Sequence, residues 1–198
     1  MTSAVPEATR SATEEAADRA LALALSRPSS AGRTRVVAVD GPSGAGKTTF
    51  ARVLVERAEE RLGTAPPLVQ MDEIYPGWDG LAASVPVLVE RVLEPIAQGH
   101  PAAYRRWDWD AERWGTLVAV PLSGLVVVEG SGCGSRPARP YLGALVWVEA
   151  PAGLRMGRGL ARDGEAYRPH WERWAEQEQA LFAAEGTRER ADLLLATG

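Results

Sequence analysis

The sequence predicts an α/β fold, a three-layer αβα sandwich around a five-stranded, mostly parallel sheet, with a small arm and a helical lid. Three observations predict it. Short apolar, β-branched runs alternate with helical stretches along the 198 residues, as in parallel strands joined by crossover helices. A glycine-rich turn separates the first such run from the helix after it. Carboxylates follow the second and third runs, at the strand ends where an open parallel sheet gathers its ligands.

The elements follow in order. Ser11 to Ser26 reads as an Ala- and Leu-rich helix ended by Pro28, Ser29 and Ser30. Thr34 to Asp40 (TRVVAVD) reads as a buried strand. Gly41 to Gly46 is the glycine turn. Lys47 to Leu62 has helical periodicity, with Phe50, Val53, Leu54 and Ala58 on one face, and Gly63 stops it. Pro67 to Met71 reads as the second strand, ending at Asp72. Gly77 to Gly80 is loop. Ser84 to Gln98 reads as a helix with Pro86 in its first turn, where the missing N–H would be unpaired anyway. Pro101 to Pro121 reads as a hairpin or arm outside the main sheet, around the aromatic segment Trp107 to Trp114. Gly124 to Glu129 and Ala144 to Glu149 are the third and fourth strands. Pro151 to Asp163 and His170 to Glu185 are helical, and Ala191 to Ala196 is the fifth strand. The expected division is a helix and linker over 1–33 and the main domain over 34–198, with the arm at about 101–121 and the lid at about 155–168.

Composition narrows the function classes. Hydrophobic residues are 45% and charged residues 24%, as in a globular protein with a core. A net charge of −4 lacks the basic surplus that phosphate neutralisation demands, so no nucleic-acid partner is expected. No apolar stretch reaches the roughly 20 residues needed to span a bilayer, and no apolar signal core follows a basic start. The lone Cys133 makes no internal disulfide, so the reducing cytoplasm is the expected compartment. Homo-oligomerisation is left open.

Gly41-Pro42-Ser43-Gly44-Ala45-Gly46-Lys47-Thr48 fits G-x-x-x-x-G-K-[ST], the phosphate loop of P-loop NTPases, and it has the strand before and the helix after that the motif requires. Glycines let the backbone turn and aim its N–H groups at phosphate oxygens. The following helix adds its positive end. Lys47 is placed to reach the β- and γ-phosphates and the Thr48 hydroxyl to ligate Mg²⁺. The expected ligand is ATP with Mg²⁺, held by the amides of Ser43 to Thr48, with Gly41 and Thr49 at the ends of the loop.

Strand two delivers Asp72 and Glu73, and strand three delivers Glu129 followed by Gly130-Ser131-Gly132. A carboxylate beside a γ-phosphate can hold Mg²⁺ or accept a proton from an attacking hydroxyl. Arg155, Arg158 and Arg162 recur at three and four residues, on one helical face. That face is either a lid that neutralises phosphate or a solvated basic surface, and spacing alone does not choose. Trp107, Trp109 and Trp114 suit either a flat ligand or an arm packed on itself. His100 and His170 read as surface or capping residues.

These residues together resemble the uridine kinase family of P-loop kinases, in the wider group with phosphoribulokinase and bacterial pantothenate kinase. The resemblance runs from about Arg35 onward. GPSGAGKTT at Gly41 to Thr49 resembles the family's phosphate loop. Asp72-Glu73-Ile74-Tyr75 resembles its D-x-F-Y segment, which implies that Asp72 is the catalytic base and that Tyr75 faces substrate. Glu129-Gly130 resembles its E-G, with the Glu supporting Mg²⁺ beside Thr48. Arg158 to Asp163 resembles its R-R-I-x-R-D lid, which assigns Arg158 and Arg162 to the lid. Trp107-Asp108-Trp109 resembles its Y-D-F, in which the Asp holds a nucleoside sugar. Glu112 and Trp114 stand where the family carries a His and an Arg. The implied activity is transfer of the ATP γ-phosphate to a hydroxyl of a small molecule, with a nucleoside as family default. Another metabolite or a nucleotide as acceptor is the alternative, and so is a nucleotide-binding regulatory protein without transfer. No N-K-x-D guanine-reading segment is present.

Overall fold

Alternation of apolar residues along β1 (Arg35–Asp40) divides the core in two. Val37 and Val39 point to one face of the sheet, Val36 and Ala38 to the other, and all four are fully buried. The computed structural model describes the backbone of residues 7–164 and 168–198, with the side chains of 11–161 and 168–198. Its main sheet has five strands in the order β2-β5-β1-β6-β7, with β2 Leu68–Gln70, β5 Leu125–Glu129, β6 Ala144–Glu149 and β7 Leu193–Ala196. Every neighbouring pair is parallel. The central strands are Val- and Leu-rich because both faces are covered.

On the first face lie α1 (Glu7–Ser26) and α2 (Lys47–Leu62). Phe50, Ala51, Leu54 and Ala58 of α2 and Ala17, Ala20, Leu21 and Ala24 of α1 are buried against Val37, Val39, Val127 and Val146. Each fully buried Leu or Phe contributes about 1.5–3 kcal/mol. Arg57 of α2 pairs with Asp18 of α1 at 2.8 Å. Helix α1 is thus part of the helical layer, a place the sequence pattern did not indicate.

On the second face lie α6 (Arg168–Glu185) and a long helix that starts at Leu81. That helix runs as α3 (Leu81–Leu88), a π-helical turn at Val89–Leu93 and α4 (Glu94–Ala97). It starts three residues earlier than expected, which places Pro86 inside it and not in the first turn. The ring removes one backbone donor within α3, and the π-helical turn follows three residues later. Leu81, Leu88, Val92, Leu93 and Ile96 still reach the core.

The arm is a separate antiparallel hairpin of β3 (Ala102–Asp108) and β4 (Arg113–Val120), as expected, with a register shift between Arg105 and Trp107. Its base is buried through Ala102, Tyr104 and Val120, and its tip is exposed. The lid helix α5 (Ala152–Asp163) leaves β6 and crosses the glycine loop. Among the described residues no helix is long and apolar enough to cross a membrane.

Candidate active site

The carboxyl ends of β1, β2 and β5 open onto one cleft of about 1100 Å³, walled by the glycine loop, the arm, α5 and α6. Steric fit explains the loop's glycines. Gly41 has φ +139° and Gly44 φ +76°, and a Cβ would strike the Val148 carbonyl at the first and the Arg155 backbone at the second. Helix α2 begins at Lys47, so its first N–H groups have no partner within the helix and face the cleft end of the loop. Gly44, Gly46, Lys47, Thr48 and Thr49 all line the cleft. The Ala45 N–H is turned back to the Pro42 carbonyl at 3.2 Å.

Beneath the loop, Asp40 is fully buried. Its carboxylate accepts N–H bonds from Gly41 (2.7 Å), Gly132 (2.9 Å) and Gly134 (2.7 Å). It therefore ties the glycine loop to the loop after β5. Burial pushes its pKa up to about 6, against the pull of those amides and of the Lys47 charge.

The Thr48 hydroxyl donates to Glu129 Oε1 at 3.1 Å, and Gln70 Nε2 donates to the same oxygen at 3.1 Å. Burial raises the Glu129 pKa, the nearby Lys47 charge lowers it, and Asp72 raises it further. Asp72 sits in the 3-10 turn Met71–Glu73 directly after β2, exposed on the cleft wall. The Lys47 ammonium donates to the Pro42 carbonyl at 3.1 Å and to Ser131 Oγ at 3.3 Å. Lys47, Thr48, Asp72 and Glu129, four residues far apart in sequence, thus share one cleft.

Other expected residues are placed less simply. Tyr75 lines the cleft but is 2% exposed, and its hydroxyl is committed to the Ser131 carbonyl at 2.9 Å. Trp107 lines the cleft, packed edge-on against Trp114 at 5.2 Å. Asp108 does not turn inward: its Oδ1 accepts the N–H groups of Asp110 (3.1 Å) and Ala111 (2.9 Å) and holds the hairpin tip. Asp110 lines the cleft in its place. Glu112 is exposed at the tip with φ +48°. Among the described residues neither Glu112 nor Trp114 belongs to the cleft wall. Arg158 does, with its guanidinium on Thr197 Oγ1 at 2.9 Å. Arg155 instead anchors the base of α5, donating to the carbonyls of Ser43 and Ala150 at 3.2 Å each. The side chain of Arg162 lies outside the described residues, as do residues 165–167 of the expected lid.

The sequence reading missed Trp78 and Trp174 of the wall, Glu178 behind it, and the contacts that Trp109 and Glu73 make. Trp78, read only as loop, stacks on His170 at 4.3 Å and packs against Trp109 at 5.0 Å. Trp109 donates its indole N–H to the Asp72 carbonyl at 3.0 Å and so fixes the arm to the Asp72 turn. Glu73 pairs with Arg106 at 2.5 Å and accepts the Tyr104 hydroxyl at 2.6 Å. Trp174 and Glu178 of α6 are buried behind the loop. Tryptophan in a loop was the one available signal, at Trp78. Among the described residues no cluster of three or more His, Cys, Asp or Glu side chains could hold a metal.

No protein-family model and no curated protein matches the chain. Among solved structures, a candidate uridine kinase from Bacillus stearothermophilus is similar with a TM-score of 0.69 at 19% identity, over 94% of this chain and 98% of that one. A candidate fructose transport system kinase from Silicibacter sp. TM1040 gives 0.62 at 18% identity, over 92% and 98%. At such identities the likeness is one of fold. The chain has the α/β fold of these two structures, as the sequence resemblance implied.

Proposed function

We propose that this chain is an ATP-dependent small-molecule kinase that transfers the γ-phosphate to an acceptor hydroxyl. The observation that carries the reading is the Thr48–Glu129 hydrogen bond at 3.1 Å, in one cleft with Lys47 and Asp72. Phosphoryl transfer needs positioning and charge neutralisation more than covalent chemistry. The loop and the start of α2 supply amides for the triphosphate. Lys47 lies between the loop and Ser131, in reach of the outer phosphates. Thr48 and Glu129 offer adjacent hard oxygen donors, which fits Mg²⁺, an ion commonly held by one or two carboxylates with substrate phosphates and water. Mg²⁺ bound there would neutralise charge on the β- and γ-oxygens. Asp72 orients an acceptor hydroxyl and takes its proton. Arg158 adds positive charge from the lid, with Arg162 proposed beside it from the family resemblance. Lid and arm together exclude water, the competing acceptor.

The acceptor end of the cleft favours an uncharged ring-bearing alcohol, such as a nucleoside, over a phosphorylated acceptor. Trp78, Trp107 and Trp109 supply flat apolar walls. Asp72, Glu73 and Asp110 face this space, and Arg106 is already paired with Glu73. A phosphate there would meet surplus negative charge. The lone buried Cys133 fits a reducing cytoplasm, the compartment we propose.

The test is transfer of label from γ-labelled ATP to a panel of nucleosides, sugars and small alcohols. Wild type labels an acceptor. Lys47→Ala abolishes transfer, and Asp72→Asn lowers it by about 10²–10⁴-fold, the usual worth of a general base, while leaving Mg²⁺·ATP affinity intact. Full activity in either variant would sink the assignment. ATP binding by wild type without transfer to any acceptor would favour a regulatory nucleotide binder.

A further inference from the structure

Glu178 on α6 is 3% exposed, and the mechanism above gives it no part. Its Oε1 accepts four hydrogen bonds: the Ser43 N–H at 2.8 Å, the Ser43 hydroxyl at 2.7 Å, the Ser131 hydroxyl at 2.8 Å and the Trp174 indole N–H at 3.0 Å. A carboxylate this deeply buried persists only where donors replace its water. Two of these donors belong to the phosphate loop, and a third is the hydroxyl that receives the Lys47 ammonium at 3.3 Å. A chain of contacts therefore runs from Lys47 through Ser131 to Glu178. Ser43 is gripped twice, its N–H and hydroxyl by α6 and its carbonyl by Arg155 of α5 at 3.2 Å. Among the described residues Glu178 is not part of the cleft wall, so nothing about its place requires it to leave when a ligand enters.

We propose that Glu178 is a positioning residue: it fixes the phosphate loop through Ser43 and the Lys47 ammonium through Ser131. The Ser43 amide is thereby withdrawn from the phosphate-binding set, and the triphosphate is left to the amides of Gly44 and Gly46 to Thr48. The proposal rests on the reading that this loop binds the triphosphate. It adds that α5 and α6 hold the loop in shape before nucleotide arrives, which is preorganisation at the residue that both helices touch.

The test is calorimetric titration of Mg²⁺·ATP and of AMP into wild type, Glu178→Gln, Glu178→Ala, Ser131→Ala and, as reference, Lys47→Ala. Glu178→Ala strands a buried amide and an indole N–H, and weakens Mg²⁺·ATP by about tenfold or more. Glu178→Gln keeps a carbonyl oxygen for the same donors and restores affinity to within about threefold of wild type. Ser131→Ala removes the hydroxyl that joins Lys47 to Glu178, together with its 3.0 Å contact to the Gly41 carbonyl, and weakens Mg²⁺·ATP several-fold. AMP, which lacks the outer phosphates, binds all of these variants alike. Unchanged Mg²⁺·ATP affinity in Ser131→Ala or in folded Glu178→Ala overturns the proposal, as does equal loss of ATP and AMP. If Glu178→Ala does not fold, Ser131→Ala decides. Failure of wild type to bind Mg²⁺·ATP, or no effect of Lys47→Ala, contradicts the parent reading of the loop instead.

Discussion

At Asp40 three backbone amides converge on one buried carboxylate, and this residue holds two loops of the site together. Its pKa of about 6 in the folded chain lies above the ordinary 3.8. The proton therefore favours the folded state. That contribution is complete below about pH 3.8 and disappears as pH rises through about 6, and the shift corresponds to about 3 kcal/mol at most. Asn at this position does not titrate. The stability of wild type minus that of Asp40→Asn is thus expected to fall between pH 4 and pH 7 in urea unfolding, and parallel curves would contradict it. Residue by residue, the sequence was legible where a cleft residue belongs to the glycine-loop motif or follows a strand. Lys47, Thr48, Asp72 and Glu129 could each be read from a motif or from the residue after an apolar run. Glu178 could not, because it is one acid among several on a charged helix and only the packing of α6 brings it to Ser43. The inward turn of Asp110 in place of Asp108 depends on hairpin geometry, which spacing does not encode.

At the scale of elements, α1 is the piece whose place most exceeds what its sequence signals. It is rich in Ala and Leu without a strongly apolar stripe, yet Ala17, Ala20, Leu21 and Ala24 are fully buried, and small residues let it lie close against α2 and the sheet. Leu21→Ala is expected to cost about 2–4 kcal/mol by urea unfolding. Leu194→Ala, at a side chain 56% exposed on the edge strand β7, should change stability by no more than about 0.5 kcal/mol. Equal effects at the two sites would mean that α1 is not a core element. The three central strands were legible because Val and Leu runs buried on both faces carry their own signature. The helix beginning at Leu81 was displaced by three residues because Pro86 reads as a start signal, whereas packing of Leu81 and Val85 extends the helix upstream of it. The arm was legible from its aromatic segment, although its contact with the cleft through Trp109 and the Asp72 carbonyl was not.

For the whole molecule, the order β2-β5-β1-β6-β7 places β1 in the middle, so the glycine loop opens at the centre of the sheet's carboxyl edge. Acid-bearing ends of β2 and β5 lie to one side of it. The lid leaves β6 on the other side and crosses back over the loop. This topology, shared with the two similar structures over 98% of each of their chains, turns separate strand ends into one cleft, to which we assign a phosphate end and an acceptor end. The account stands on the phosphate end. A ligand that binds only the folded chain stabilises it by about 2.7 kcal/mol at a hundred times its Kd, which for a chain of this size raises the melting temperature by roughly 5–10 °C. The deciding measurement is the melting temperature against rising Mg²⁺·ATP, with AMP and with Lys47→Ala as controls. The account predicts a concentration-dependent rise with Mg²⁺·ATP, little rise with AMP, and loss of the ATP effect in Lys47→Ala. A wild-type melting temperature indifferent to saturating Mg²⁺·ATP, or a rise that survives Lys47→Ala, would contradict it.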